Sequence, residues 1–188
     1  MVNKQGGGKA PHPPGLKFHF INRHFKMERG SVMYRTVEDF LADWRHSAKS
    51  TLKVMQAITD DKKDTAIVEG HNSLAWLAWH LVSTAGVFGQ FAKLQVPAPG
   101  PEMPMPETMA EIADYYEKIM EAYEREVPTL RDEQLLEEVP AFGGAMPLGK
   151  LLRLVVDHQT HHRGQMTVLL RQAGLKVPPV MGPTKEMV

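Results

Sequence analysis

His158 and His162 stand four residues apart in the segment "VVDHQTHHRGQM". On a helix that spacing puts both imidazoles on one face, one turn apart, close enough to chelate a single ion. Spacing alone is weak support, because nine histidines in 188 positions give about 0.4 such pairs by chance. A third histidine, His80, interrupts the otherwise apolar run "LAWLAWHLVS". Three neutral imidazoles suit zinc, nickel or a related divalent ion, and a three-ligand site leaves coordination positions open. An open position points to catalysis: such an ion can acidify a bound water to about pKa 7, polarise a carbonyl or accept a thiolate. The competing reading is structural, with the imidazoles hydrogen-bonded to buried carbonyls or set at a wet end of the fold. Either way partners are required, since an unpaired polar group in an apolar core costs roughly 1–3 kcal/mol.

The residues around this pair divide by helical phase. Asp157 and Gln165 could hold the ligand imidazoles through their second ring nitrogen, a common supporting device at metal sites. His161, one residue out of phase with His162, falls on the flank of the helix in a supporting role, and Arg163 is expected to pair with an acid. Trp76 and Trp79 read as packing residues rather than a substrate platform. His12, His19, His24, His46 and His71 have no such context, and the 12 methionines read as gap fillers on helix stripes. With no cysteine in the chain, disulfides, thiolate nucleophiles and Cys-ligated metals are excluded.

Four helices are expected to position these groups. The first starts near Thr36, a hydroxyl cap followed by Glu38 and Asp39 at the positive end of the dipole. Phe40, Leu41, Trp44, Ala48, Leu52, Met55 and Ile58 then form one apolar stripe. The second runs from about Asn72 to Leu94 and is apolar enough to be mostly buried. "VPAPGPEMPMPE" carries five prolines in twelve residues and cannot be helical, because each internal proline removes a donor and clashes with the preceding turn. The third helix spans about Glu107 to Val127, with Pro128 ending or kinking it. A loop containing "FGGAMP" leads to the fourth, which opens near Pro147 and Leu148 and closes at Gly174. There Leu151, Val155, His158, His162, Met166 and Leu169 share a stripe that should face the core. Strand-like alternation is absent, so the expected fold is all-α: a four-helix bundle with a long Pro-rich crossover between helices two and three.

Length and composition set the remaining bounds. The chain is long enough for one substantial core and too short to argue for two. Residues 33–188 therefore read as one domain, and residues 1–32 as a flexible basic extension. Met27 and Met33 both precede the first helix, so translation from Met33 is an alternative start that mass spectrometry of the native protein would reveal. Lys plus Arg (22) balances Asp plus Glu (22), which leaves no long-range field to recruit nucleic acid. No apolar run reaches the roughly 20 residues that span a bilayer, and the N-terminus lacks the pattern of a signal peptide. The expectation is a soluble cytoplasmic protein without a membrane or nucleic-acid partner. The helices carry more apolar surface than one bundle seam needs, which suggests a homodimer.

"LAWLAWHL" followed by "DHQTHHRGQMTVLLRQAGLKVPP" resembles the DinB-like superfamily, including its YfiT-type metal-dependent members. The strongest piece is the H-x-x-x-H-R-G-Q signature at His158 to Gln165, and the likeness covers about Tyr34 to Gly182. It implies a four-helix bundle in which one histidine of the second helix and two of the last bind a divalent metal, mapping to His80, His158 and His162. Related branches imply chemistry in which a metal activates a low-molecular-weight thiol toward a small electrophilic substrate. The leading expectation is thus a metal-dependent enzyme of the thiol S-transferase or hydrolase type. The alternative is a non-catalytic, metal-stabilised dimeric bundle acting in a stress response. The basic extension departs from the family pattern.

Overall fold

The structure, a computed structural model, describes residues 33–187. The basic extension read at residues 1–32 and the alternative start upstream of Met33 lie outside the described residues. Four helices carry the fold: α1 (Val37–Gln56), α2 (Leu74–Phe91), α3 (Met109–Glu126) and α4 (Leu148–Gln172). Each of α1 and α2 packs against both α3 and α4, so the expected all-α four-helix bundle is what forms. No described helix is long and apolar enough to cross a membrane.

The helix starts are local chemistry with distant reinforcement. Thr36 Oγ1 accepts from Asp39 N at 3.1 Å, while Asp132, 95 residues away, accepts from Val37 N at 2.7 Å. Ser73 caps α2 through Trp76 N. Thr108 and Glu111 form a reciprocal capping box on α3, and Asp60 accepts from Met109 N at 2.7 Å. These orphan donors are thereby satisfied, and the acids suit the positive helix ends. At the far end of α4, Gly174 takes φ +75° and Leu175 N donates to Leu170 O at 2.9 Å. That is the Schellman stop for which glycine is favoured.

The core is filled by the stripes of all four helices. Phe40, Trp44 and Tyr123 stack at its α1–α3 side, with the Trp44 and Tyr123 ring centres 4.2 Å apart. The Pro-rich crossover lies directly on α2, which is possible because α2 offers no side chain there. A Cβ on Gly86 would come within 2.4 Å of Pro97 O, and one on Gly89 within 2.7 Å of the Val96 side chain.

One element differs from expectation. Before α4 the chain forms an antiparallel hairpin, β1 (Glu138–Ala141) and β2 (Gly144–Pro147), with Val139 opposite Met146 and Ala141 opposite Gly144. Four-residue strands, one containing Pro140, are too short to show alternation, so the segment read as a loop. The connecting pair Phe142 and Gly143 has φ +53° and +77°, a type I′ turn suited to the strand twist. For Phe142, which carries a Cβ, that conformation costs about 1–2 kcal/mol. Pro128 falls where α3 gives way to a short 3-10 turn, Val127–Thr129.

Candidate metal centre

Among the described residues, His80, His158 and His162 form a cluster that could hold a metal ion, with one nitrogen from each inside a span of 4.8 Å. His80 sits in the middle of α2, and the other two lie one turn apart on α4 where α4 packs on α2. The Nε2 of His158 is 3.3 Å from that of His80 and 3.2 Å from that of His162. All three rings are half-buried. The site therefore occupies the margin of the core rather than its centre, although its stripe neighbours Leu151, Val155 and Met166 are fully buried.

Hydrogen bonds on the far side of two rings decide what the near side presents. Gln165 Oε1, which can only accept, lies 2.7 Å from His162 Nδ1, so that nitrogen carries the proton. Thr84 donates its hydroxyl hydrogen to His80 O at 2.7 Å, leaving its oxygen to accept from His158 Nδ1 at 3.3 Å. A neutral imidazole protonated at Nδ1 shows a bare lone pair at Nε2. With both rings in that tautomer, the Nε2 lone pairs of His158 and His162 converge across 3.2 Å, an arrangement that a shared cation would relieve.

A proton is poorly suited to that place. Burial, with His162 beside it, pushes His80 down to about 4. Burial followed by His162, His80 and His161 pushes His158 down to about 3. His162 is also lowered by burial, although its bond to Gln165 acts the other way. Burial thus favours the uncharged form of all three imidazoles. Two ligand atoms each about 2.1 Å from one tetrahedral ion lie roughly 3.4 Å apart, close to the 3.2 and 3.3 Å observed. The donors therefore fit a divalent first-row ion.

The surrounding residues are sorted differently from the sequence reading. Gln165 accepts from the imidazole of His162, one of the three ligand candidates. Asp157 does not: its carboxylate pairs with Arg153 at 2.6 Å on the exposed side of α4. His161 is exposed, with its Nε2 3.4 Å from Gln165 Nε2 and its ring against His162, so it touches the cluster from outside. Among the described residues, Arg163 pairs with no acid. It is buried and donates to Ser47 O, Ser47 Oγ, Thr51 Oγ1 and Thr160 Oγ1, tying α4 to α1 while His162 faces α2. Trp79 packs edge-on against Tyr115 as a packing residue should, but Trp76 stacks on His80 with centroids 4.9 Å apart and planes 11° apart. His71, which had no assigned context, lines a groove of about 310 Å³ beside Gln165, with Ile67, Leu77 and Val168.

Thr84, Phe88 and Phe142 were missed. Thr84 stands four residues after His80 and could have been found from helical phase. Phe88 meets His158 edge-on at 5.7 Å and looks in sequence like any core phenylalanine. Phe142, carried on the hairpin, packs against Phe88 behind the site.

A four-helix bundle with a three-histidine cluster shared by its second and last helices is thus the class of protein at hand. The DinB family profile matches residues 33–188, and the chain belongs to the DinB family. It is 38% identical over 155 residues to the uncharacterized protein YrdA of Bacillus subtilis (strain 168), covering 82% of this chain and 93% of that one. The crystal structure of a DinB-like protein from Bacillus cereus ATCC 10987 superposes with a TM-score of 0.70 at 37% identity, over 78% of this chain and 99% of that one. The DinB-like protein YjoA of Bacillus subtilis shares the fold, with a TM-score of 0.61 at 24% identity over 78% and 99% of the two chains.

Proposed function

We propose that the protein is a metal-dependent enzyme of the thiol S-transferase or hydrolase type, with one zinc or nickel ion held by His80, His158 and His162. The observation that carries this reading is the convergence of the three imidazoles, with the Nε2 of His158 3.2 Å from that of His162 and 3.3 Å from that of His80. The tautomers of His158 and His162 are set by Thr84 and Gln165, and burial disfavours their protonation. When bound, such an ion supplies Lewis acidity and open coordination positions for a thiolate, water or carbonyl oxygen. The chain's own residues do the rest. Gln165 and Thr84 keep Nε2 free of protons and fix both α4 rings. Trp76 covers one face of His80. Arg163 anchors the same helix turn to α1.

A low-molecular-weight thiol and a small electrophile are the partners this reading expects, in the cytoplasm and in a homodimer. Sedimentation analysis tests the dimer separately. The central test is elemental analysis of tag-free protein beside a His158→Ala, His162→Ala variant. About one ion per chain in the parent, lost in the variant, is the expected result for a three-ligand site. Loaded protein should then turn over in a screen of thiols against electrophiles. No metal in either protein after reconstitution refutes the metal centre. Metal without turnover, but with a large rise in melting temperature, would favour a metal-stabilised bundle.

A further inference from the structure

The three histidines are flanked by aromatic rings on two sides. Trp76 stacks on His80, and Phe88 meets His158 edge-on. Beyond Phe88, the tip of the hairpin brings Phe142 edge-on against both Phe88 (5.2 Å, 86°) and Phe91 (5.3 Å, 81°). Phe88 is buried, whereas Phe91, Phe142 and Trp76 stay half-exposed. The half-exposed Trp76 thus lies directly on His80, while the half-exposed Phe142 and Phe91 connect to His158 through the buried Phe88.

The backbone at Phe142 adds an independent observation. Its φ of +53° belongs to a turn position filled by Gly, Asn or Asp, which adopt it without strain. A bulky residue held there is an outlier of the kind that clusters at ligand clamps and active sites. Asparagine would serve the turn better, so the ring, rather than the turn, accounts for phenylalanine at this position.

We propose that Phe142 is a substrate-binding residue: with Phe91 it forms, over the buried Phe88, an apolar wall on the His158 side of the cluster for the aromatic or bulky apolar tail of a small molecule whose polar head engages the ion. Ring-on-ring contacts at 4.5–7 Å give such a wall its selectivity for flat apolar groups. The inference rests on the metal reading above and adds to it the shape of the substrate.

The test uses cobalt(II)-loaded protein, whose visible bands report both the ion and its exchangeable ligands. Two probes share one metal-binding head: acetohydroxamate with a methyl tail and benzohydroxamate with a phenyl tail. Wild-type protein should bind the phenyl probe about tenfold more tightly or better, the discrimination an apolar pocket gives for added apolar volume. In Phe142→Asn the preference should fall to about twofold or less, with cobalt affinity and acetohydroxamate binding unchanged. A variant that keeps the wild-type preference, or a wild type that shows none, overturns the inference and leaves the metal centre standing. Absence of cobalt bands in the wild type overturns both. If Phe142→Asn does not fold, zinc-loaded wild type still decides by NMR. Upfield-shifted phenyl protons of bound benzohydroxamate with cross-peaks to the Phe142 ring support the wall, and bound probe without those cross-peaks refutes it.

Discussion

Replacing Gln165 by alanine should weaken metal binding while leaving the fold intact. Gln165 is exposed, and among the described residues its side chain hydrogen-bonds His162 Nδ1 at 2.7 Å and meets the exposed His161 at 3.4 Å. Removing an exposed polar side chain of this kind changes stability by less than about 0.5 kcal/mol. Binding is a different matter, because an imidazole that coordinates a cation gains positive character and its Nδ1 proton is held more tightly. A hydrogen bond to a charged group contributes about 1.5–3 kcal/mol, which at 1.36 kcal/mol per decade is roughly 10- to 100-fold in affinity. Competition titration of zinc against a chromophoric chelator at constant pH measures this, with the melting temperature of the metal-free protein as the control for folding. Gln165→Glu retains an acceptor and should restore the affinity. Asp157→Asn should change it less than about twofold, since Asp157 pairs with Arg153 and touches no candidate ligand. An affinity for Gln165→Ala within twofold of wild type, or an equal loss in Asp157→Asn, would refute the assignment of the supporting residue.

Other consequences follow from the same contacts. Gly86→Ala drives a Cβ to 2.4 Å from Pro97 O and 2.7 Å from Ala98, backbone that cannot swing away, so urea unfolding should show a loss of about 1–3 kcal/mol. Tyr116→Phe leaves the buried Gln159 Oε1, now 2.8 Å from the Tyr116 hydroxyl, without its donor and should cost about 1–3 kcal/mol in the same assay. Tyr123→Phe should cost less, because the Ala85 carbonyl that accepts from Tyr123 is a helix carbonyl with a second route to satisfaction. For metal-free protein, His80 and His158 have folded pKa values of about 4 and about 3 against an ordinary 6.5, so as acid is added the unfolded chain takes up protons first. Their contribution to stability is complete above about pH 6.5 and is lost as pH falls toward 3. Denaturation at pH 7, 5.5 and 4 should show that slope, and it should flatten in the His158→Ala, His162→Ala variant.

What the sequence determined by itself is what local geometry dictates. The 3.6-residue period of Phe40, Leu41, Trp44 and Ala48 specifies α1 without reference to the rest of the chain. The five prolines between Val96 and Glu107 forbid helix wherever they lie. Once α4 is a helix, the four-residue spacing of His158 and His162 places them on one face. Gly174 marks its own helix end for the same kind of reason, needing only the backbone within one turn.

Tertiary packing decided the rest, because the contacts concerned join residues that no local period relates. His80 meets His158 across 78 residues, and Arg163 finds Ser47 and Thr51 across 116 and 112. No pattern near Arg163 could distinguish those hydroxyls from an acid. Asp157 and Gln165 looked equivalent on α4, and the choice between them fell to Arg153, one turn before Asp157, which holds its carboxylate away from the site. The hairpin that carries Phe142 depends on pairing between strands too short to announce themselves. Helical phase says which face a side chain shares. Only the packed bundle says what stands opposite that face, because burial and hydrogen-bond satisfaction are settled by all four helices at once.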